Sequence, residues 1–144
     1  MTLKTNQHKT FNETPFARAE NRIFKKTEYC IVLYDKYPVC ENHLLFIPKQ
    51  KYDYYICKAF EEAFEEGESQ VENKKIDGYH LGINMYVAGG QSIMWPHVHF
   101  IPRHYDDSDG PYIGSVRLAR VGGRIPMSYE NHPEHYSWKK ALGL

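Results

Sequence analysis

At 144 residues, 42% of them hydrophobic, the chain is long enough to bury a core as one domain without disulfides or a structural metal. Eighteen basic residues balance eighteen acidic ones, which removes the global positive field that recruits nucleic acid. The opening MTLKTNQHKTFNETPF has no apolar signal core, and no apolar run approaches the roughly 20 residues of a membrane span. Cys30, Cys40 and Cys57 are odd in number and lack a C-x-x-C pair, so reduced thiols in a cytoplasmic protein are expected. The twelve tyrosines are scattered, as expected of half-buried packing residues.

Along the chain, residues 1–20 are polar and turn-rich and are expected to form an arm. Arg22–Glu28 and Tyr29–Asp35 are β-prone, the second dense in branched and aromatic side chains. Lys36-Tyr37-Pro38 breaks the pattern, and His43–Ile47 predicts a short apolar strand ended by Pro48. From Tyr52 to Glu72 the period becomes helical: Ile56, Phe60, Phe64 and Val71 fall near one face, beside Ala59 and Ala63, with acids opposite. Gly67 is a weak point in that helix. A strand over Tyr79–Tyr86, a glycine-rich loop and a strand over Pro96–Ile101 follow. Strands, one helix, then strands predict an α+β fold with the helix on one face of the sheet. Residues 105–144 are a tail mixing Asp, Gly, Pro and Arg, with no clear element, repeat or low-complexity run.

The chemistry concentrates in Gln91–Arg103. His97 and His99 alternate with apolar residues, so an extended strand points both imidazoles to one face and Val98 and Phe100 to the other. Upstream, Asn84-Met85-Tyr86-Val87-Ala88-Gly89-Gly90-Gln91-Ser92 is a small-residue loop able to bring backbone N–H groups against an anion. Three readings compete. Metal binding by His97 and His99 needs a third ligand; Arg103 is a poor neighbour for a cation, which leaves His104. Structural histidines satisfied by backbone carbonyls are the ordinary explanation of a single buried imidazole, and a weaker one for a pair. Nucleophilic catalysis at phosphorus needs one imidazole nitrogen aimed at the phosphate, the other fixed by an acceptor, and donors around the phosphate oxygens. Loop N–H groups, a hydroxyl, an amide and a second imidazole would supply these parts, and all occur within sixteen residues.

The segment resembles the signature of the histidine-triad (HIT) family of nucleotide hydrolases and transferases, G-Q-S/T-φ-x-H-φ-H-φ-H-φ-I-P-R with φ apolar. Gln91-Ser92 and Ile101-Pro102-Arg103 align without a gap. The first triad histidine then falls on Trp95, the central one on His97 and the last on His99. Asp35–Lys49 resembles the family's D-x-x-P-x-x-x-G-H-x-L-x-I-P-K, with Asn42 in place of Gly, and Gly82-Ile83-Asn84 resembles its G-x-N. The similarity covers residues 22–104, within a single HIT-like domain spanning 1–144.

The resemblance implies an α+β HIT-like fold, a mostly antiparallel sheet with one main helix, assembled as a homodimer with the helix over Tyr52–Val71 as its interface. It implies that His97 attacks the α-phosphorus while a carbonyl near Trp95 holds its other nitrogen. His99 would bond a phosphate oxygen or the leaving group, and Ser92 would add a hydroxyl. Asn84, Gly90 and Gln91 would orient the phosphate, Asp35 would hold the ribose hydroxyls, and Leu33 and Tyr34 would wall the base. His43 is assigned to the strand–loop junction, where Asn42 tolerates a left-handed backbone almost as Gly does. The implied reaction cleaves a phosphoanhydride or phosphoramidate, in a dinucleoside polyphosphate or nucleoside phosphoramidate, and releases a nucleoside monophosphate. No cofactor is required, with Mg²⁺ at most accompanying a polyphosphate. The nucleotide is the expected partner, with no nucleic acid and no membrane. The alternative is a nucleotide-binding module in which Trp95 has weakened catalysis, since indole donates a hydrogen bond but cannot accept one. Arg117, Arg120 and Arg124 are a further candidate contact to distal phosphates, or simply a solvated basic stretch.

Overall fold

A computed structural model describes residues 10–91 and 93–105. Five strands form one sheet, β1 (Ile23–Lys26), β2 (Cys30–Tyr34), β3 (Leu44–Pro48), β4 (Gly78–Ile83) and β5 (Val98–Arg103), with a single α-helix, α1 (Asp53–Glu72). The spatial order is β1-β2-β3-β5-β4, and every neighbouring pair is antiparallel. β5 therefore runs in the interior of the sheet, between β3 and β4, which accounts for its nearly continuous burial.

Period-two alternation sorts the side chains onto two faces. Cys30, Val32, Leu44, Phe46, Val98 and Phe100 face α1 and form one buried cluster with Ala59, Ala63 and Ile76. Leu33, Leu45 and Ile47 face the other way, where Trp95, Phe16 and Ala19 cover them. Within and just after residues 1–20, expected to form an arm, Phe11 to Arg22 make three short 3-10 turns whose Phe16 and Ala19 close the second face.

The helix turns a different side to the sheet than its large apolar residues suggest. Its buried residues are Ala59, Ala63 and Gly67, an i, i+4, i+8 stripe, whereas Phe64 is 53% and Val71 37% exposed. Small residues let the helix axis approach closely, and the sheet supplies the bulk through Phe46, Phe100 and Tyr79. Gly67 has a packing reason: a Cβ there would overlap the Tyr79 ring, which itself stacks on Phe100 at 5.6 Å between centroids. Among the described residues no helix is long and apolar enough to cross a membrane.

Candidate functional site

The site lies on the sheet face opposite α1. His99 sits in β5 directly across from Leu45 of β3, and His97 immediately precedes β5 on the same face, as the alternation requires. The two rings lie edge to face, 5.2 Å apart. They open into a cavity of about 330 Å³ that Asp35, Asn84, Gly90 and Ile93 also line. Arg22, Tyr37, Leu45 and Phe16 complete the wall, Phe16 with its ring edge-on to His97 at 5.2 Å. A larger space of about 690 Å³ adjoins it, sharing Phe16, Arg22, Tyr37 and Ile93 and adding Arg18 and Lys36.

The hydrogen bonds assign the protons. His97 Nδ1 lies 2.8 Å from the carbonyl oxygen of Trp95; a carbonyl only accepts, so Nδ1 carries the proton and Nε2 keeps a free lone pair. The Val39 N–H donates to His43 Nδ1 at 3.2 Å, so the proton of neutral His43 is on Nε2. That Nε2–H meets His99 Nδ1 at 3.0 Å, which leaves His99 with its own proton on Nε2. Two adjacent imidazoles therefore have opposite tautomers, one offering a lone pair and the other an N–H. Burial pushes all three histidines below the ordinary value. For His99 burial is joined by the neighbouring His97 and His43, and its pKa falls to about 3. For His97 burial outweighs the opposing Trp95 carbonyl and Asp35, and for His43 it outweighs Asp35. All three are neutral near pH 7.

Asp35 follows β2. Its Oδ1 accepts the Tyr37 N–H at 2.8 Å, and its Oδ2 lies 3.4 Å from His43 Nε2 and 3.9 Å from His99 Nδ1. Both oxygens retain lone pairs for further donors. The His43 junction is built as expected: Asn42 takes a φ of 65°, and the His43 carbonyl accepts the Asp35 N–H at 2.9 Å. Asp35, His43 and His99 bring potential metal-ligating atoms within 4.8 Å of one another. The Val39 N–H on Nδ1 keeps the proton on His43 Nε2, however, so that atom donates instead of ligating. A metal-bound histidine ordinarily donates from its second nitrogen, the reverse of this arrangement.

The loop on the far side of the cavity is braced from within. Gln91 is buried; its Oε1 accepts the Tyr86 N–H at 2.8 Å and its own N–H donates to the Tyr86 carbonyl at 3.0 Å. Those bonds hold Tyr86 at φ 65°, ψ 164°, a region that side chains rarely adopt. Asn84 Nδ2 donates to the Gly89 carbonyl at 2.7 Å, and Gly90 turns at φ 89° to face the cavity. Gln91 thus acts as a brace and does not line the cavity.

The structure brings His97, His99, Asp35, Asn84 and Gly90 together around one cavity. Ser92 lies outside the described residues, as do Arg117, Arg120 and Arg124. Leu33, expected against the base, is fully buried beneath the site, and Tyr34 points to the helix side, edge-on to Phe24. Adjacent strand residues cannot share a face, so at most one of that pair could have lined the site. The metal set with His104 does not assemble either: His104 follows the far end of β5, 3.8 Å from Asp77. Phe16, Arg22, Tyr37, Leu45 and Ile93 line the cavity without having been singled out in the sequence. For Leu45 the missing signal is the register of β3 on β5; for Phe16, a polar segment conceals one ring that folds back.

An antiparallel five-stranded α+β sheet with two neutral histidines of opposite tautomer beside a carboxylate and a glycine loop defines a histidine-centred site suited to an anionic ligand. The chain belongs to the HIT-domain family, whose description matches residues 17–106. No curated protein matches it. Among solved structures it is similar to a zinc-bound histidine triad family protein from Mycobacterium smegmatis, at 22% identity and TM-score 0.55, covering 62% of this chain and 70% of that one. A hypothetical histidine triad nucleotide-binding protein from Sulfolobus tokodaii is 28% identical at TM-score 0.53, over 60% and 62% of the two chains. A HIT family hydrolase from Clostridium thermocellum is 22% identical at TM-score 0.53, over 71% and 99%.

Proposed function

We propose that this protein hydrolyses a nucleotide at its α-phosphorus through a nucleotidyl-histidine intermediate on His97. The observation that carries the reading is the tautomer of His97, whose Nδ1–H is fixed on the Trp95 carbonyl so that neutral Nε2 presents a lone pair to the cavity. Nε2 attacks phosphorus, a P–N bond forms, and the bond to the leaving group breaks with its electron pair departing on oxygen or nitrogen. Water then cleaves the P–N bond and releases the nucleoside monophosphate. His99 donates its Nε2–H to a phosphate oxygen or the departing atom, and Gly90 and Asn84 orient the phosphate, with Ser92 adding a hydroxyl. Asp35 accepts the ribose hydroxyls. The adjoining space gives room for a substrate longer than a nucleoside monophosphate, in keeping with a dinucleoside polyphosphate beside a nucleoside phosphoramidate.

The second reading is a nucleotide-binding module without turnover. Against it stands the fact that the group fixing His97 is a backbone carbonyl, which the exchange of histidine for tryptophan leaves in place. Product analysis separates the two: diadenosine polyphosphate and adenosine phosphoramidate are incubated with wild-type protein and with His97→Ala, with and without EDTA. AMP release that survives EDTA and disappears in His97→Ala is the expected result. AMP binding with no release moves the assignment to the module, and turnover lost in EDTA restores the metal reading. A homodimer belongs to the same proposal, with α1 presenting exposed Phe64 and Val71 to a second copy. Light scattering at a mass of one chain overturns that part.

A further inference from the structure

Residues 93–97 carry the catalytic tautomer yet belong to no strand. The pairing of β3 with β5 ends at Phe46 and Val98, so no ladder hydrogen bond holds the Trp95 carbonyl where His97 needs it. What holds it is the Trp95 side chain. The indole N–H donates to the Pro48 carbonyl at the end of β3, at 2.9 Å, bridging the two strand ends beyond the last paired residues. The Trp95 N–H closes a turn on the Ile93 carbonyl at 2.8 Å, and Pro96 restricts the backbone of Trp95 from the other side. The ring is 1% exposed, packed with Leu33 and Ile47, met edge-on by Phe11 and covered by the Lys51 ammonium at 5.4 Å. It is absent from the cavity wall, so it neither stacks on a base nor narrows the site.

We propose that Trp95 is a positioning residue for His97: its indole anchors residues 93–97 to β3, and that anchor sets the carbonyl that fixes the His97 tautomer. The position asks for a donor alone, because its partner is a carbonyl. Indole meets that demand as an imidazole would, and its larger ring fills the space under the turn. The exchange of the first triad histidine for tryptophan therefore preserves the support of the central one. The inference builds on the nucleophilic reading of His97, but its core can be measured without substrate.

The test compares the full-length wild type with Trp95→Phe, which keeps a buried ring and loses the N–H, and with Trp95→His, which restores a donor. Long-range ¹H–¹⁵N spectra of the histidine side chains report the His97 tautomer, and kcat and KM are measured on adenosine phosphoramidate. In the wild type and Trp95→His, His97 is expected as the single Nδ1–H form. In Trp95→Phe it is expected as a mixture of tautomers, with kcat lowered about tenfold, the effect of one buried hydrogen bond, and KM unchanged. A single Nδ1–H form retained in Trp95→Phe overturns the proposal, whatever happens to activity. So does a mixture that leaves kcat unchanged, or a Trp95→His protein as disordered at His97 as Trp95→Phe. If the wild type itself turns over no nucleotide, the nucleophilic reading falls, and the spectra still decide whether the indole sets the tautomer.

Discussion

The two faces of the sheet are buried to a similar degree by different means. The face under α1 is closed by shape at its centre, where Ala59, Ala63 and Gly67 meet Phe46, Phe100 and Tyr79, with Lys25 donating to Glu66 and the Tyr79 hydroxyl to Glu68. On the opposite face, five polar residues, Thr14, His43, Gln91, His97 and His99, are buried among Phe16, Trp95 and Leu45, and their hydrogen bonds fix direction and protonation. An apolar face of this kind maximises stability, whereas buried neutral imidazoles forgo hydration that they regain only when protons and partners are correctly placed. Changes on the helix face are therefore expected to act on folding, and changes on the histidine face on chemistry.

The largest separation is expected at His97. His97→Ala should abolish turnover, by roughly 10³-fold or more as for other nucleophile deletions, while the melting temperature moves little; a chain that loses fold and activity together erases the contrast. On the other face, Gly67→Val should destabilise by about 1–3 kcal/mol through overpacking against Tyr79, with unchanged activity per folded molecule. Urea denaturation monitored alongside turnover checks both halves, and a stable Gly67→Val protein would show that the Tyr79 ring moves aside freely.

A pH titration probes the histidine face. Folded His99 titrates at about 3, whereas an unfolded histidine titrates near its ordinary 6.5. Between these values the unfolded chain binds the extra proton, so stability rises with pH. It is fully present above about 6.5 and declines as pH falls toward the folded value. The melting temperature should accordingly fall steadily below that point, and His99→Asn should flatten the slope; an unchanged slope would place the acid sensitivity elsewhere. The smallest effect is expected at the junction: Asn42 already holds a φ of 65°, so Asn42→Gly should stay within about 0.5 kcal/mol of wild type, and Asn42→Ala should cost about 1 kcal/mol. Thermal denaturation of the two variants ranks them.

Much of this could be read from the residues in order. Alternation placed His97 and His99 on one side and Val98 and Phe100 on the other because a strand leaves no other choice. The left-handed backbone at Asn42 was legible through the resemblance, which sets Gly at that position, and because Asn is among the few residues that accept it. The helix was legible in extent but not in orientation, because its large apolar residues and its small ones lie on neighbouring faces and only the bulk of the facing sheet selects the small ones. Leu33 and Tyr34 could not be separated before β2 was laid beside β3, since strand alternation says that two residues differ in side without saying which side is the site.

Local sequence therefore determined the elements, the histidine pair and the conformations that only certain residues accept, all consequences of covalent geometry within a few residues. Tertiary structure decided which nitrogen of His99 carries its proton and what anchors the carbonyl beside His97. The Val39 N–H on His43 and the Trp95 carbonyl on His97 are contacts within a few residues, but the His43 imidazole reaches His99 from the residue preceding β3 and the Trp95 indole is tied to the Pro48 carbonyl, partners that only the fold supplies.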